Sequence, residues 1–375
     1  MAKTTVFLVH GVGKQTKGWS TKKDGPVAAL TTAAKRYACF KDRPLTDQIN
    51  FVEIRYDDIF DGVLEGWSDL AAQLEADAGG LLTGGSLQVL DDLKEGDENT
   101  FAQYGGDVLL YRFFPVYTKA VLLRVMAQIT AEVAKGDAVD YGLVAHSLGT
   151  TVAHDALHIL AEGTWQGTSL MAEDDDLEKA GITGEQTAID KVFALDRDNP
   201  FAPGSSRFRW FSIMMIANTS PLLHVTRKDP YSSNVRCGVH NDTGSISHLF
   251  YDVDHRLDPI CWVKPFTKSE THWTVDPVEV TLDHIYDYNV HGFAHYLMHP
   301  AVHGPLFRDL APDWTFACTD KAKELSGAFP RIGNKIKSDA ESALASLTRK
   351  AQAESSVGTL LAIYRTLKDL KEKTT

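Results

Sequence analysis

Ser147 sits in the stretch "AHSLG", where an apolar run, Tyr141–Ala145, gives way to apolar residues at helical spacing. A serine hydroxyl is a weak nucleophile at neutral pH. It becomes effective when a neighbouring base takes its proton and an acid orients that base. A strand that ends in x-Ser-x-Gly and runs straight into a helix provides the geometry for such chemistry. The sharp turn strains the serine backbone, so the residues two positions away must be small. Here they are Ala145, where glycine is usual, and Gly149. The helix N-terminus then presents backbone N–H groups to developing negative charge. The plainer rival is a serine that caps a helix.

Partners for that serine lie later in the chain. "FYDVDHRLDPI" offers Asp252, Asp254 and Asp258. Asp258 precedes a proline, which favours extended backbone, although Asp-Pro also starts ordinary turns. "YNVHGFAHYLMHPAVHG" carries His291, His295, His299 and His303 at intervals of four. Residues so spaced share a helix face and invite a metal reading. Gly292 and Pro300 interrupt that helix, however, and a linear stripe is a poor tetrahedral donor set. No metal and no cofactor are therefore expected. His10 ends the first apolar run and is expected to hold the glycine-bearing loop "HGVG".

These residues need a scaffold. Six segments read as strands: Thr4–His10, Ile49–Asp58, the run from Ala138 into Ser147, Arg209–Ser220, Ile246–Val253 and Val278–Tyr286. They alternate with helical stretches such as Val27–Phe40, the pattern of a mostly parallel α/β sheet covered on both faces. Insertions are expected at about 58–135 and 163–206, where lid segments over a site are one outcome and surface ornament the other. A catalytic domain is expected over 1–318 and a helical extension over 319–375. In that extension Leu360, Leu361, Ile363, Tyr364, Leu367 and Leu370 fall near one helix face. Such a stripe needs a cover: the chain itself, a second copy or a membrane surface, the last disfavoured because Asp369 and Glu372 dilute the nearby lysines, so a homo-oligomer through these helices is one expectation.

Four separated segments resemble the α/β-hydrolase superfamily of the lipase/esterase type. "VFLVHGVGKQ" resembles its first core strand and oxyanion loop, and "VAHSLGTTVAHDAL" its nucleophile elbow. "IANTSPL" resembles a strand end found in many lipases, and "RLDPICWVKPF" an acid loop of intracellular lipase-like hydrolases. The resemblance spans roughly residues 4–310. It implies an α/β-hydrolase fold with the chain order serine, acid, histidine. It thereby assigns Ser147 as nucleophile, Asp258 as acid with Asp254 in reserve, and His291, in the loop before a helix, as base. The backbone N–H groups of Val12 and Leu148 become the oxyanion donors. The implied reaction is hydrolysis of a small-molecule or lipid carboxylic ester through an acyl-enzyme. A thioesterase, amidase or acyltransferase would use the same residues, and an inactive scaffold is the remaining alternative.

Composition narrows the classes. A net charge of −12 disfavours nucleic acid as a partner. The four cysteines are widely spread with no CxxC spacing, which predicts free thiols and a reducing compartment. The longest apolar stretch is broken by Arg112, Pro115, Lys119 and Arg124, so no membrane-spanning helix is expected. With no leader pattern visible, a cytoplasmic location is the expectation.

Overall fold

The computed structural model describes residues 3–59, 111–169, 199–284 and 290–329, with breaks at 14, 112–114, 137, 166–167, 206–207, 227–229, 240–243, 259, 262–264 and 268–271. Six strands form one sheet, and every neighbouring pair is parallel. They are β1 (Lys3–Val9), β2 (Ile49–Ile54), β3 (Ala138–His146), β4 (Trp210–Ile216), β5 (Ser247–His255) and β6 (Val278–Leu282). Their spatial order is β2-β1-β3-β4-β5-β6. Each of the six expected strands is present. The chain winds outward from β1 to β2, then crosses back to β3 on the other side of β1. That reversal opens a crevice at the C-terminal ends of β1 and β3, the usual place for a ligand in an open parallel sheet.

The helices longer than one turn are α1 (Pro26–Ala34), α2 (Pro115–Val133), α3 (Leu148–Glu162), α4 (Phe293–Leu297), α5 (Pro300–Leu310) and α6 (Phe316–Gly327). They cover both faces. Because strand side chains alternate, Phe7 and Val9 of β1 join one core with residues of α2 and α3, while Val6 and Leu8 join another with α1 and α5. All four are fully buried, which accounts for the unbroken apolar run in β1. Val121, Leu122, Val125, Met126 and Ile129 of α2 are buried against the first core, so that apolar stretch is a core helix.

Among the described residues no helix is long and apolar enough to cross a membrane. All four cysteines are free thiols. The expected boundary at 318/319 falls inside α6, whose Cys318 is buried. Thr315 caps this helix, and Trp314 Nε1 donates to Thr319 Oγ1 at 2.8 Å. The apolar tail stripe from Leu360 to Leu370 lies outside the described residues, as does most of both expected insertions.

Candidate active site

Ser147 separates β3 from α3 with no intervening loop. Its φ of 56° and ψ of −132° lie in a region that residues with a side chain rarely adopt, at a cost of about 1–3 kcal/mol. Backbone bonds hold it there. Ser147 N–H donates to Ile216 O at 2.9 Å, and Ser147 O accepts from the hydroxyls of Thr150 at 2.7 Å and Thr219 at 2.9 Å. On the neighbouring strand end, Ala217 shares the positive φ, at 49°.

Two glycines let β1 approach this turn. A Cβ on Gly149 would lie 2.1 Å from His10 O, and one on Gly11 would lie 2.8 Å from Ser147 Cβ. The obstacle at Gly149 is backbone, so it cannot swing aside. Gly149→Ala is expected to destabilise the fold by about 3 kcal/mol or more, the range of severe core overpacking. A thermal or urea melt indistinguishable from wild type would refute this packing.

The loop after β1 is fastened as the sequence suggested. His10 Nδ1 is 2.6 Å from Gly11 O, its ring stacks on Tyr56 at 4.5 Å, and Tyr56 Oη donates to His10 O at 2.6 Å. His10 Nε2 lies 3.3 Å from Asp57 Oδ1, an ion-pair distance without hydrogen-bond alignment. Asp57 Oδ2 also accepts from the Gln15 amide at 2.6 Å. Burial would raise Asp57, but His10 and this amide outweigh it and hold the carboxyl below its usual range. Val12 follows Gly11, which packs against Ser147, and Leu148 opens α3 directly after the serine. Neither backbone amide has a hydrogen-bond partner among the described residues.

The acid and the base meet. His291 Nδ1 is 2.6 Å from Asp258 Oδ2, with Asp258 fully buried and His291 partly exposed. Tyr296 Oη donates to the same oxygen at 2.6 Å, and the Ile260 amide donates to Oδ1 at 3.0 Å. Burial alone would raise the Asp258 pKa. The His291 charge and bond, with the Tyr296 and Ile260 donors, reverse that and keep it below the ordinary carboxylate value. The other two carboxylates face elsewhere. Asp252 accepts from Asn218 Nδ2 at 2.8 Å and is pushed up to about 7 by burial, whereas Asp254 is bonded to Thr281.

His146, next to the serine, brings the two halves together. Its ring centroid is 4.7 Å from that of His291, and it stacks on Phe293 at 4.9 Å. Burial first, and the His291 charge second, lower its pKa to about 3. His146 thus stays neutral beside the candidate base. No family model, curated protein or solved structure matches this chain.

The four-spaced histidines are split among separate environments. Gly292 caps α4 and Pro300 opens α5, so no single helix carries the stripe. His303 is buried between Tyr37 Oη, 2.8 Å from Nε2, and Leu297 O, 2.8 Å from Nδ1. His295 is buried one turn after His291.

A second serine–histidine–aspartate string lies on α3. His154 Nε2 is 2.9 Å from Ser233 Oγ, and His154 Nδ1 is 3.0 Å from Asp155 Oδ1. Its geometry belongs to a strut. Ser233 Oγ accepts from the Val235 amide, Asp155 Oδ2 accepts from Tyr111 Oη and the Val225 amide, and all three members are buried. The string and its bonds fasten Val225 and Ser233 to α3, and its serine lacks the strained positive φ of Ser147.

Sequence reasoning missed Tyr296, His146 and the Asp57 brace. Tyr296 had no visible signal, because its partner Asp258 lies 38 positions away.

Proposed function

We propose that this protein is a serine hydrolase of carboxylic esters, built on the α/β-hydrolase plan. Ser147 attacks the carbonyl carbon, His291 accepts the hydroxyl proton, and Asp258 orients the imidazole and stabilises its charged form. The tetrahedral oxyanion is received by the Val12 and Leu148 amides at the positive end of α3. His291 then returns the proton to the leaving alcohol, and water repeats the cycle on the acyl-enzyme. The single observation that carries this reading is a buried carboxylate, 2.6 Å from a partly exposed imidazole whose ring lies 4.7 Å from that of His146, the residue before a serine held at φ 56° at the switch point of a parallel sheet. A helix-capping serine needs neither the strain nor the pair.

Fluorophosphonate labelling tests the nucleophile directly. The wild-type chain is expected to take up one label, located at Ser147 by peptide mass, and to hydrolyse a series of p-nitrophenyl esters with a preferred chain length. A folded chain that takes no label and cleaves none of the esters would defeat the proposal.

A further inference from the structure

Next to the Asp258–His291 pair lies a group of side chains that the proposed reaction does not use. His255 ends β5, His284 lies two residues beyond β6, and His295 is on α4. One ring nitrogen of each lies within 4.8 Å of the other two. All three are buried, at 1%, 1% and 2% exposure. Their ring centroids are 4.4–5.3 Å apart, and His299 adds a fourth ring 4.6 Å from His284. Phe329 closes the cluster over His284 and His299.

Buried polar atoms are ordinarily satisfied. His284 Nδ1 is buried with no hydrogen-bond partner among the described residues, and His284 Nε2 has only a long contact, 3.4 Å, to His295 O. Burial, reinforced by the neighbouring imidazoles, lowers His284 to about 3, and burial also lowers His255. These rings are therefore neutral and carry a lone pair, the form that binds metal.

We propose that His255, His284 and His295 form a binding site for a divalent transition-metal cation of the zinc type, which ties the acid loop to the base loop. An all-imidazole donor set suits zinc, copper or nickel, whereas calcium and magnesium take oxygen ligands. Three histidines leave a fourth position for water or for His299, whose Nδ1 is engaged by the Ala301 amide and which can offer only Nε2. Loading has a local cost. His255 donates from Nε2 to His284 O at 2.7 Å and accepts at Nδ1 from the Leu257 amide at 3.0 Å. One of these bonds gives way to a metal–nitrogen bond, and the rings draw in to about 2 Å from the ion. The cation's role is structural. It cross-links the end of β5, the segment after β6 and α4, and so holds together the chain just before Asp258 and just after His291. It touches neither of those residues and takes no part in acyl transfer. The donors come from β5, the segment after β6 and α4, so the site is not the linear stripe of four-spaced histidines.

The test uses the full chain without a polyhistidine tag. Protein stripped with a chelator is exposed to zinc, separated from loose ion by gel filtration, and analysed for bound metal and thermal midpoint. The expected result is about one zinc per chain and a midpoint raised by about 3 °C or more. Cobalt(II) in place of zinc should give the intense visible absorption of a low-symmetry nitrogen site. His284→Ala and His295→Ala should each weaken zinc binding by about tenfold or more, with the exposed-residue variant His272→Ala as an unchanged control. Ser147→Ala should bind like wild type, which separates this site from the hydrolase reading: either can fail while the other stands. If the histidine variants do not fold, the wild-type cobalt spectrum and zinc content decide. A wild-type chain that keeps only traces of zinc, with no cobalt absorption and no change in midpoint, overturns the site. Undiminished zinc binding by both folded variants overturns it equally.

Discussion

Ser147→Ala should lower kcat for ester hydrolysis by about 10⁴–10⁶-fold and abolish fluorophosphonate labelling, with the thermal midpoint almost unchanged. The loss is large because the hydroxyl is the atom that forms the acyl bond, and no neighbouring group can substitute for it. The fold survives for a reason visible in the elbow. The bonds that hold the turn run through the Ser147 backbone, from its N–H to Ile216 O and to its carbonyl from Thr150 and Thr219. Alanine is also accommodated at positive φ in this protein, as Ala217 at φ 49° on the adjoining strand end shows. A variant that kept wild-type turnover would dismiss Ser147 and the whole reaction scheme with it. A variant that lost activity only by unfolding would show a lowered midpoint, and the two measurements together separate these outcomes.

Much of this scaffold is legible because parallel strands covered on both faces must be apolar throughout. "TTVFLVH" and "RWFSIMMIANTS" stand out for that reason, and both are buried strands. The elbow is legible because its geometry restricts residue size, and the contacts at Gly149 and Gly11 show that restriction at work. For the pairing of Asp258 with His291 the local signal is slight, the proline after Asp258, and the resemblance adds the choice over Asp252 and Asp254. The structure separates them by where the backbone turns. Asp252 and Asp254 are still within β5 and pair across the sheet with Glu279 and Thr281, whereas Asp258 lies beyond the strand end.

Other features were illegible because they join distant positions. Tyr296 and the Ile260 amide join His291 in holding Asp258 ionised, and His146 links the elbow to the base loop. The His255–His284–His295 cluster draws one residue from each of three elements, so no spacing rule reveals it. The division expected at 318/319 falls within α6, which packs through Cys318, and most of 319–375 lies outside the described residues.

His291→Ala should cost about 10⁴-fold or more in kcat, and Asp258→Asn a loss of similar order, while folded His295→Ala stays within about tenfold of wild type. The ranking follows from position: His291 touches the carboxylate and the elbow, whereas His295 is turned into the buried cluster. The pH profile sharpens the assignment. A protonated imidazole cannot accept the serine proton, so the rate must fall toward acid pH. Asp258 does not produce that fall, because its folded pKa is lowered. Its contribution to stability is complete above the unfolded carboxylate value of about 3.9, and is lost as pH drops through the still lower folded value. His146, held near 3, is also neutral throughout the working range. Only one group of the site is then left to protonate, and log(kcat/KM) should descend with unit slope. A slope of two would mean that His146 or another neighbour takes up a proton in the same step. Greater loss in His295→Ala than in His291→Ala would move the base one turn along the chain, away from Asp258, and would break the proposed triad at its central member.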